Sequence, residues 1–502
     1  MSLKSLLARP FAAWEAAQIR RWSADPGGSQ RRVLEQLLRK GSQTHFGREH
    51  RLDQVRDAAG FRQAIPLKDY EQFKPWIERV KSGESDVLWP GKPAYFAKTS
   101  GTTSGTKYIP LTPDSIPNHI NTARAALTSY IHSTGRTAFV DGKMIFLQGS
   151  PVLTRTGGIP TGRLSGLVYH HVPAYLLRNR MPTYETNCIE DWEEKIDAIC
   201  RETSRERMTL ISGIPPWVIM YFERLLALNK VETIRDLFPD FSLFVHGGVN
   251  FQPYAARLQE LIGGPVDTLE TYPASEGFIA FQDSLDAEGL LLNVASGIWF
   301  EFIPMDHYQE PNPPRLTVEE VEIGVQYALI VNNNAGLWGY RLGDTIRFTS
   351  LRPARIVVTG RTAHFLSAFG EHVIAEEVEG AMQMLREQLG LEVVEFTVAP
   401  RMGNGQTMPR HEWYVEFSRP PVSLSKAAGL LDTAMQARNT YYKDLITGSI
   451  LAPLAIFPVR PGGFRDYQRS VGKLGGQNKV ARLANNRNIA DALQPYLEAT
   501  LT

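Results

Sequence analysis

Cysteine is nearly missing from this chain: Cys188 and Cys200 are the only two among 502 residues. Their spacing is not C-x-x-C, so they form neither a zinc pair nor a redox dithiol, and a small secreted scaffold carries a denser disulfide framework. Both are expected to be reduced, packed thiols of a cytoplasmic protein. An excess of charge of one sign is missing too. Lys and Arg total 54 and Asp and Glu 53, a formal net charge of +1, without the concentrated basic surface of a nucleic-acid binder. No apolar run is long enough for a bilayer. The uncharged stretch Met208 to Phe222 contains Pro215 and Pro216 and falls short of the roughly 20 residues a spanning helix needs. At the N-terminus, Lys4, Arg9 and Glu15 interrupt the apolar residues, which argues against a signal peptide. Leu6, Leu7, Phe11, Trp14 and Ile19 fit one face of a helix, expected to dock on the protein's own core. Repeats, low-complexity segments and heptad seams are lacking, so a monomer is expected.

What is present reads as an ordinary globular protein, 43% apolar and 21% charged. At about 150 residues per domain, the length suggests roughly two to four folding units. Helical and strand-like segments alternate, which predicts an α/β fold. Arg31–Lys40, Asp69–Lys81 and Pro113–His132 read as helices, the second broken by Pro75 and the third capped by Thr112 with Pro113 first. Met144–Leu147, Met208–Ile211 and Phe241–Val245 read as buried strands, and Val325–Val331, Ile346–Thr349 and Arg355–Thr359 as consecutive ones. After residue 360 a helix (Ala375–Leu389), two strands (Glu392–Val398 and Trp413–Phe417) and a second helix (Leu424–Arg438) form a compact α+β pattern. A polar loop with Gly403 and Gly405 separates those strands. The expected division is a large α/β domain, 1–360, and a small α+β domain, 361–502, joined by a hinge.

Five segments can carry chemistry. Thr99-Ser100-Gly101-Thr102-Thr103-Ser104-Gly105-Thr106-Lys107 combines glycines, hydroxyls and a lysine. Such a loop can bring backbone N–H groups, hydroxyls and a point charge to a phosphate, or be a flexible turn. It is not a G-x-x-x-x-G-K-[ST] loop, since Lys107 precedes Tyr108. Tyr272-Pro273-Ala274-Ser275-Glu276-Gly277 offers a ring for a base and a carboxylate for Mg²⁺, which takes oxygen ligands. Tyr340-Arg341-Leu342-Gly343-Asp344 reads as a tight turn whose Asp344 can accept hydrogen bonds from ribose hydroxyls or simply make a turn. Gly360-Arg361 reads as a linker turn. Gly475-Gly476-Gln477-Asn478-Lys479 is a glycine-led loop with one late lysine. His170-His171 reads as a strand pair facing opposite ways, unable to share a metal.

The order of these five segments resembles the adenylate-forming superfamily of acyl-CoA synthetases and luciferases. Their wording is narrower. HFGREH at 45–50, FRQAIPLKDYE at 61–71, SGTTSGTKYIP at 100–110, YPASEG at 272–277, YRLGD at 340–344 and GGQNKVARL at 475–483 are similar to the auxin-responsive acyl acid amido synthetases and their bacterial relatives. The likeness runs from about residue 30 to about residue 490. One departure is Ala274-Ser275-Glu276, where plant members usually have Ser-Ser-Glu.

The resemblance implies an ATP-dependent acid–amino acid ligase. A carboxylic acid would be adenylated with release of pyrophosphate, and an amino acid amine would then take the acyl group and release AMP. It implies phosphate contacts from Thr99, Ser100, Gly101, Thr102, Thr103, Ser104, Gly105 and Lys107. Mg²⁺ would sit on Glu276, adenine against Tyr272, the ribose hydroxyls on Asp344, and ribose or phosphate near Arg361. Lys479 would stabilise charge in the adenylation transition state. Gly247-Gly248-Val249 would line the adenine and acyl sites through backbone atoms, with His246 a weaker candidate. The acyl acid is expected between Leu167–Met181 and Ile211–Tyr221, both rich in apolar and aromatic residues. The small domain would rotate at 360–361 between half-reactions. Two other readings share some of these residues: an acid–thiol ligase acting on coenzyme A, and a nucleotide-binding relative without catalysis.

Overall fold

The computed structural model describes residues 3–100, 106–172, 178–189, 191–248, 251–362, 366, 373–402, 407–447, 451–474, 479–484 and 486–498. Contacts divide the chain into a large unit, residues 1–342 with 346–357, and a small unit, residues 343–345 with 358–502.

The large unit is built on strands β1 (Tyr95–Ser100), β2 (Thr106–Leu111), β3 (Lys143–Phe146), β4 (Thr154–Thr156), β5 (Ile159–Gly162), β6 (Arg180–Met181), β7 (Met208–Ser212), β8 (Leu243–Gly247), β9 (Asp267–Ala274), β10 (Gly277–Phe281), β11 (Leu290–Leu292), β12 (Ile298–Pro304) and β13 (Gln326–Asn333). Two further strands, β14 (Tyr340–Leu351) and β15 (Ala354–Arg361), carry the chain between the units. Among the described residues one sheet runs in the order β12-β13-β14-β15-β11-β10-β9-β8-β7-β3-β6. Its end β6, β3, β7, β8 and β9 is parallel, and a smaller sheet runs β2-β1-β5-β4.

The parallel strands read as continuous apolar runs because helices cover both faces. Ile145, Leu210, Ile211, Leu243 and Phe244 are all buried. The helix Pro215–Asn229 packs Trp217, Val218, Tyr221 and Phe222 into the same core. Every parallel strand ends on the same edge of the sheet, and in open α/β sheets that carboxyl edge is where ligands bind.

The small unit carries strands β16 (Glu392–Arg401), β17 (Arg410–Arg419) and β18 (Ala455–Val459) in one sheet. Helices Ala375–Leu389 and Leu424–Arg438 have the bounds expected from their periodicity. Phe396 stacks on Trp413 at 5.6 Å in the core they share.

Several expectations need correction. Pro75 does not break its helix, which runs Tyr70–Lys81 unbroken. A proline removes one interior hydrogen bond. Here a capping box at Asp69/Gln72 and a buried face of Tyr70, Phe73, Trp76, Ile77 and Val80 hold the helix together. The third helix starts later than expected, at Ile116, with Ser115 as N-cap. Thr112 instead trades hydrogen bonds with Ser115, N–H to Oγ at 2.9 Å and back at 3.1 Å. The N-terminal helix Leu3–Ser23 docks on the wrong face for the expectation. Leu6, Leu7, Phe11 and Trp14 are exposed, while Ala12, Glu15, Ala16 and Ile19 are buried. Glu15 decides this orientation: its carboxylate accepts from Arg124 Nε at 3.1 Å and Thr128 Oγ1 at 3.0 Å. His170 and His171 follow the helix Leu164–Tyr169 rather than lying on a strand. Their Nε2 atoms approach Pro151 O at 3.0 Å and Tyr95 Oη at 3.1 Å. Cys188 and Cys200 are free thiols, and burial pushes Cys200 up to about 12.

Candidate functional site

The carboxyl edge of the parallel strands brings two of the expected segments side by side. Gly247 ends β8 and pairs with Thr271 on β9. A β-carbon on Gly247 would stand 2.2 Å from the Thr271 carbonyl oxygen, so only glycine lets the two strand ends close. Gly248 follows at φ 81°, a left-handed conformation that favours glycine; Val249 lies outside the described residues. His246 is buried and stacks on Phe251 at 4.2 Å. Among the described residues its Nδ1 has no hydrogen-bond partner, and burial lowers its pKa to about 4, which makes it a neutral core ring.

Next along this edge, Tyr272 sits on β9 at 8% exposure within the main core, which restricts the ring surface it can offer a base. Glu276 lies in the two-residue turn between β9 and β10. Two side chains far away in sequence fix that turn. Asn333 Nδ2 donates to the Glu276 carbonyl oxygen at 2.7 Å. Asn118 Oδ1 accepts from Phe278 N at 2.7 Å. The charge of the Glu276 carboxylate also reaches Tyr340, which is fully buried. Burial and that carboxylate push the Tyr340 phenol well above its ordinary range, so it remains a donor.

Of the hydroxyl-rich segment, Thr99, Ser100 and Lys107 are described, and Gly101, Thr102, Thr103, Ser104 and Gly105 are not. Thr99 pairs with Lys107, and Ser100 with Thr106, across the antiparallel β1–β2 pair. Lys107 Nζ lies 5.6 Å from the Tyr70 ring centroid, and Tyr70 Oη accepts from Tyr108 N at 2.7 Å.

Three other expected residues meet within the small unit. Asp344 is not in a tight turn but inside β14, and Gly360-Arg361 is not a linker turn but the end of β15. Gly343 explains the misreading: at φ 89° it bends β14 without ending it. Arg361 Nε donates to Asp344 Oδ1 at 2.8 Å, and Thr362 N to Gly343 O at 2.8 Å. Lys479 feels both members of the ion pair. Its side chain keeps a solvent-exposed surface while protein atoms crowd its ammonium. That desolvation and the Arg361 charge bring its pKa down to about 8, against the opposite pull of Asp344.

The chain just beyond Lys479 is pinned to β16. Val398 N donates to Arg482 O at 2.8 Å, Ala484 N to Val398 O at 3.2 Å, and Thr397 Oγ1 to Ala481 O at 2.7 Å. The Arg482 side chain pairs with Glu379 and Glu395. Gly475, Gly476, Gln477 and Asn478 lie outside the described residues, as do Gly403 and Gly405.

The expected acyl segments fare unequally. Leu167 and His171 line a shallow cleft with Ile116 and His119. Ile211, Trp217 and Tyr221 are core residues and do not line it. Sequence reasoning assigned nothing to Tyr340 itself, Asn333 or Asn118. The run Asn332-Asn333-Asn334 at a strand end was a usable signal for the second; the third carried none.

Family models match most of the chain. The GH3 family N-terminal domain matches residues 15–186, the central domain 291–361 and the C-terminal domain 376–488. The chain belongs to the GH3 family. Among curated relatives, a jasmonoyl–L-amino acid synthetase of Oryza sativa subsp. japonica is 23% identical, over 92% of this chain and 93% of that protein. An indole-3-acetic acid-amido synthetase of Arabidopsis thaliana is also 23% identical, over 94% and 91%. Among solved structures, GH3.15 acyl acid amido synthetase in complex with 2,4-DB has a TM-score of 0.81 at 18% identity, covering 97% of this chain and 96% of that one. A 2-hydroxyisobutyryl-CoA ligase has a TM-score of 0.61 at 13% identity, covering 92% and 90%. These likenesses bear out the expected α/β fold with a large N-terminal and a smaller C-terminal domain, and the family reading made from the motifs. The enzyme class expected from the sequence, a ligase joining acyl acids to amino acids, is the one under which the family's curated members are named. Among the described residues, no helix is long and apolar enough to cross a membrane.

Proposed function

We propose that this GH3 protein adenylates a carboxylic acid with ATP and transfers the acyl group to the amine of an amino acid. A carboxylate is a poor electrophile because attack on it must expel an oxide or hydroxide. In the first step its oxygen bonds to the α-phosphorus of ATP and pyrophosphate leaves. In the second the neutral amine adds to the acyl carbon, AMP leaves with the bonding pair, and the amine gives up a proton. Family membership supports both steps. The grouping of Lys479 with the Arg361–Asp344 pair carries the reading to this chain.

The roles follow from the chemistry of the side chains. In the large unit, Glu276 would hold Mg²⁺, which neutralises charge on the phosphates. One carboxylate suits that ion, which takes its remaining ligands from phosphates and water. Among the described residues, no cluster of three or more His, Cys, Asp or Glu offers a dedicated metal cage. Asn333 fixes the Glu276 backbone, and the Tyr340 phenol would border its carboxylate. The segment Thr99–Lys107 would grip the outer phosphates, Gly248 and Val249 would line the nucleotide, and Tyr272 would border the adenine. In the small unit, Asp344 would accept from the ribose hydroxyls, Arg361 would hold it in place, and Lys479 would stabilise the charge on the reacting phosphate. The division of labour at residue 360 and rotation of 361–502 between half-reactions belong to this proposal. Scattering curves that coincide with ATP and with AMP would rule the rotation out. We read the chain as a cytoplasmic monomer from its composition.

The deciding experiment is ATP-dependent pyrophosphate release over a panel of aryl and aliphatic acids, with Lys479→Ala and Glu276→Ala beside the parent. Release that needs the acid and both side chains supports adenylation. Product formation with amino acids and not with coenzyme A supports the amide; the reverse would make the chain an acid–thiol ligase.

A further inference from the structure

The large unit holds a charged feature that none of these roles uses. Arg180, on the short edge strand β6, is only 8% exposed. Its guanidinium carbon lies 4.0 Å from the Tyr169 ring centroid and 5.3 Å from that of Phe146. Nε and Nη1 are buried, and among the described residues they donate to nothing. Among the described residues no carboxylate acts on its charge, and Tyr169 does.

A second buried cation of the large unit, Lys195, is satisfied elsewhere: its Nζ donates to the carbonyl oxygens of Asn187 at 2.7 Å and Gln148 at 3.3 Å, and the cation that acts on it is Arg163.

An arginine keeps its charge in any protein environment, and burying that charge unpaired opposes folding. The Tyr169 face recovers only part of the loss. Buried polar atoms are otherwise almost always bonded, so two unbonded N–H groups on one guanidinium point to an absent partner. The planar fork of a guanidinium matches a carboxylate through paired N–H donors, and the aromatic faces on Arg180 hold its plane.

We propose that Arg180 is the receptor for a carboxylate that one of the two substrates carries away from the bond being made. This rests on the amide-synthetase reading and names its substrate class. The carboxylate has two possible sources: a second acid group on the acyl acid, or the α-carboxylate of the amino acid. Arg180 falls within the Leu167–Met181 segment where the sequence placed the acyl acid, which favours the first.

Arg180→Met tests this, with two readouts. The first is thermal unfolding without ATP, titrated with glutarate, benzoate, the amino acids and their amides. The parent should gain stability from glutarate or from an amino acid, and R180M should lose that gain while unfolding no earlier than the parent without ligand. The second is turnover. For the acyl source, R180M raises KM about tenfold or more for a diacid in pyrophosphate release and leaves its monoacid analogue unchanged. For the amino acid source, pyrophosphate release is unchanged, and the advantage of an amino acid over its amide disappears. If R180M does not fold, Arg180→Lys replaces it, and weakened carboxylate protection is expected. The proposal is overturned if the variant keeps the parent's carboxylate response, if the parent shows no such response, or if the variant loses all substrates alike and unfolds earlier. A parent that releases no pyrophosphate with any acid, yet is protected by carboxylates through Arg180, would sink the amide-synthetase reading and leave the pocket standing.

Discussion

Burial and the charge of the Glu276 carboxylate, more than sixty residues away in sequence, hold the phenol of Tyr340 protonated at a position that is 1% exposed. Tyr340→Phe removes the hydroxyl and keeps the ring that packs on Phe73 at 5.9 Å. The expected result is a rise in the Mg²⁺ concentration needed for half-maximal pyrophosphate release, about tenfold or more, with little change in the thermal midpoint. Equal Mg²⁺ dependence in variant and parent would remove Tyr340 from the site.

Lys479 supplies a pH prediction. Its proposed role needs the protonated ammonium, and its pKa is brought down to about 8. Adenylation should therefore be full near pH 7 and fall as pH rises through about 8. Arg361 lowers this pKa and Asp344 raises it. Arg361→Ala should move the falling limb to higher pH and Asp344→Asn to lower pH. A pH–rate profile of pyrophosphate release checks both; a limb that stays put in both variants would assign it to another group.

These two residues also show what the sequence could reveal. Lys479 and Glu276 were legible because the order of the motifs places them, and the helices Ala375–Leu389 and Leu424–Arg438 because their apolar period is plain. Tyr340 was visible only as a letter in a motif. Its exposure to the Glu276 charge depends on the tertiary fold, and no local pattern encodes that. Asp344 was misplaced into a turn because a glycine beside an aspartate commonly marks one, whereas Gly343 bends a strand here. The face of the N-terminal helix was misjudged for a similar reason. Periodicity finds a stripe of large apolar residues, but the partners of Glu15 on the helix Ile116–Thr134 choose which side docks.

Two buried imidazoles predict acid sensitivity. His119 and His246 have pKa values lowered from 6.5 to about 4 by burial. Below pH 6.5 the unfolded chain takes up protons that the folded chain refuses. The stability each contributes is fully present above pH 6.5 and is lost as pH falls toward about 4. At about 1.4 kcal/mol per pKa unit this amounts to roughly 3 kcal/mol each. Urea unfolding at pH 7, 5.5 and 4.5 should show a decline that His119→Gln and His246→Gln each flatten. Parallel declines in parent and variants would mean that other groups carry it.

Two glycines separate close contact from backbone conformation. At Gly247 a β-carbon would meet the carbonyl oxygen of Thr271 at 2.2 Å. That is a main-chain atom of the paired strand, so β8 and β9 must part where Gly248 and Glu276 stand. At Gly343 the nearest atom to such a carbon is Thr362 Oγ1 at 3.9 Å, so space is free, but φ is 89°. A non-glycine residue in a sparsely populated backbone region costs about 1–3 kcal/mol. Gly343→Ala should therefore lose stability in that range. Gly247→Ala should lose more, and should also weaken ATP binding because it displaces the edge that carries Glu276. Urea unfolding ranks the two, and ATP titration by calorimetry reads the second effect. A Gly247→Ala variant that binds ATP like the parent would show that the β8–β9 edge does not shape the nucleotide site.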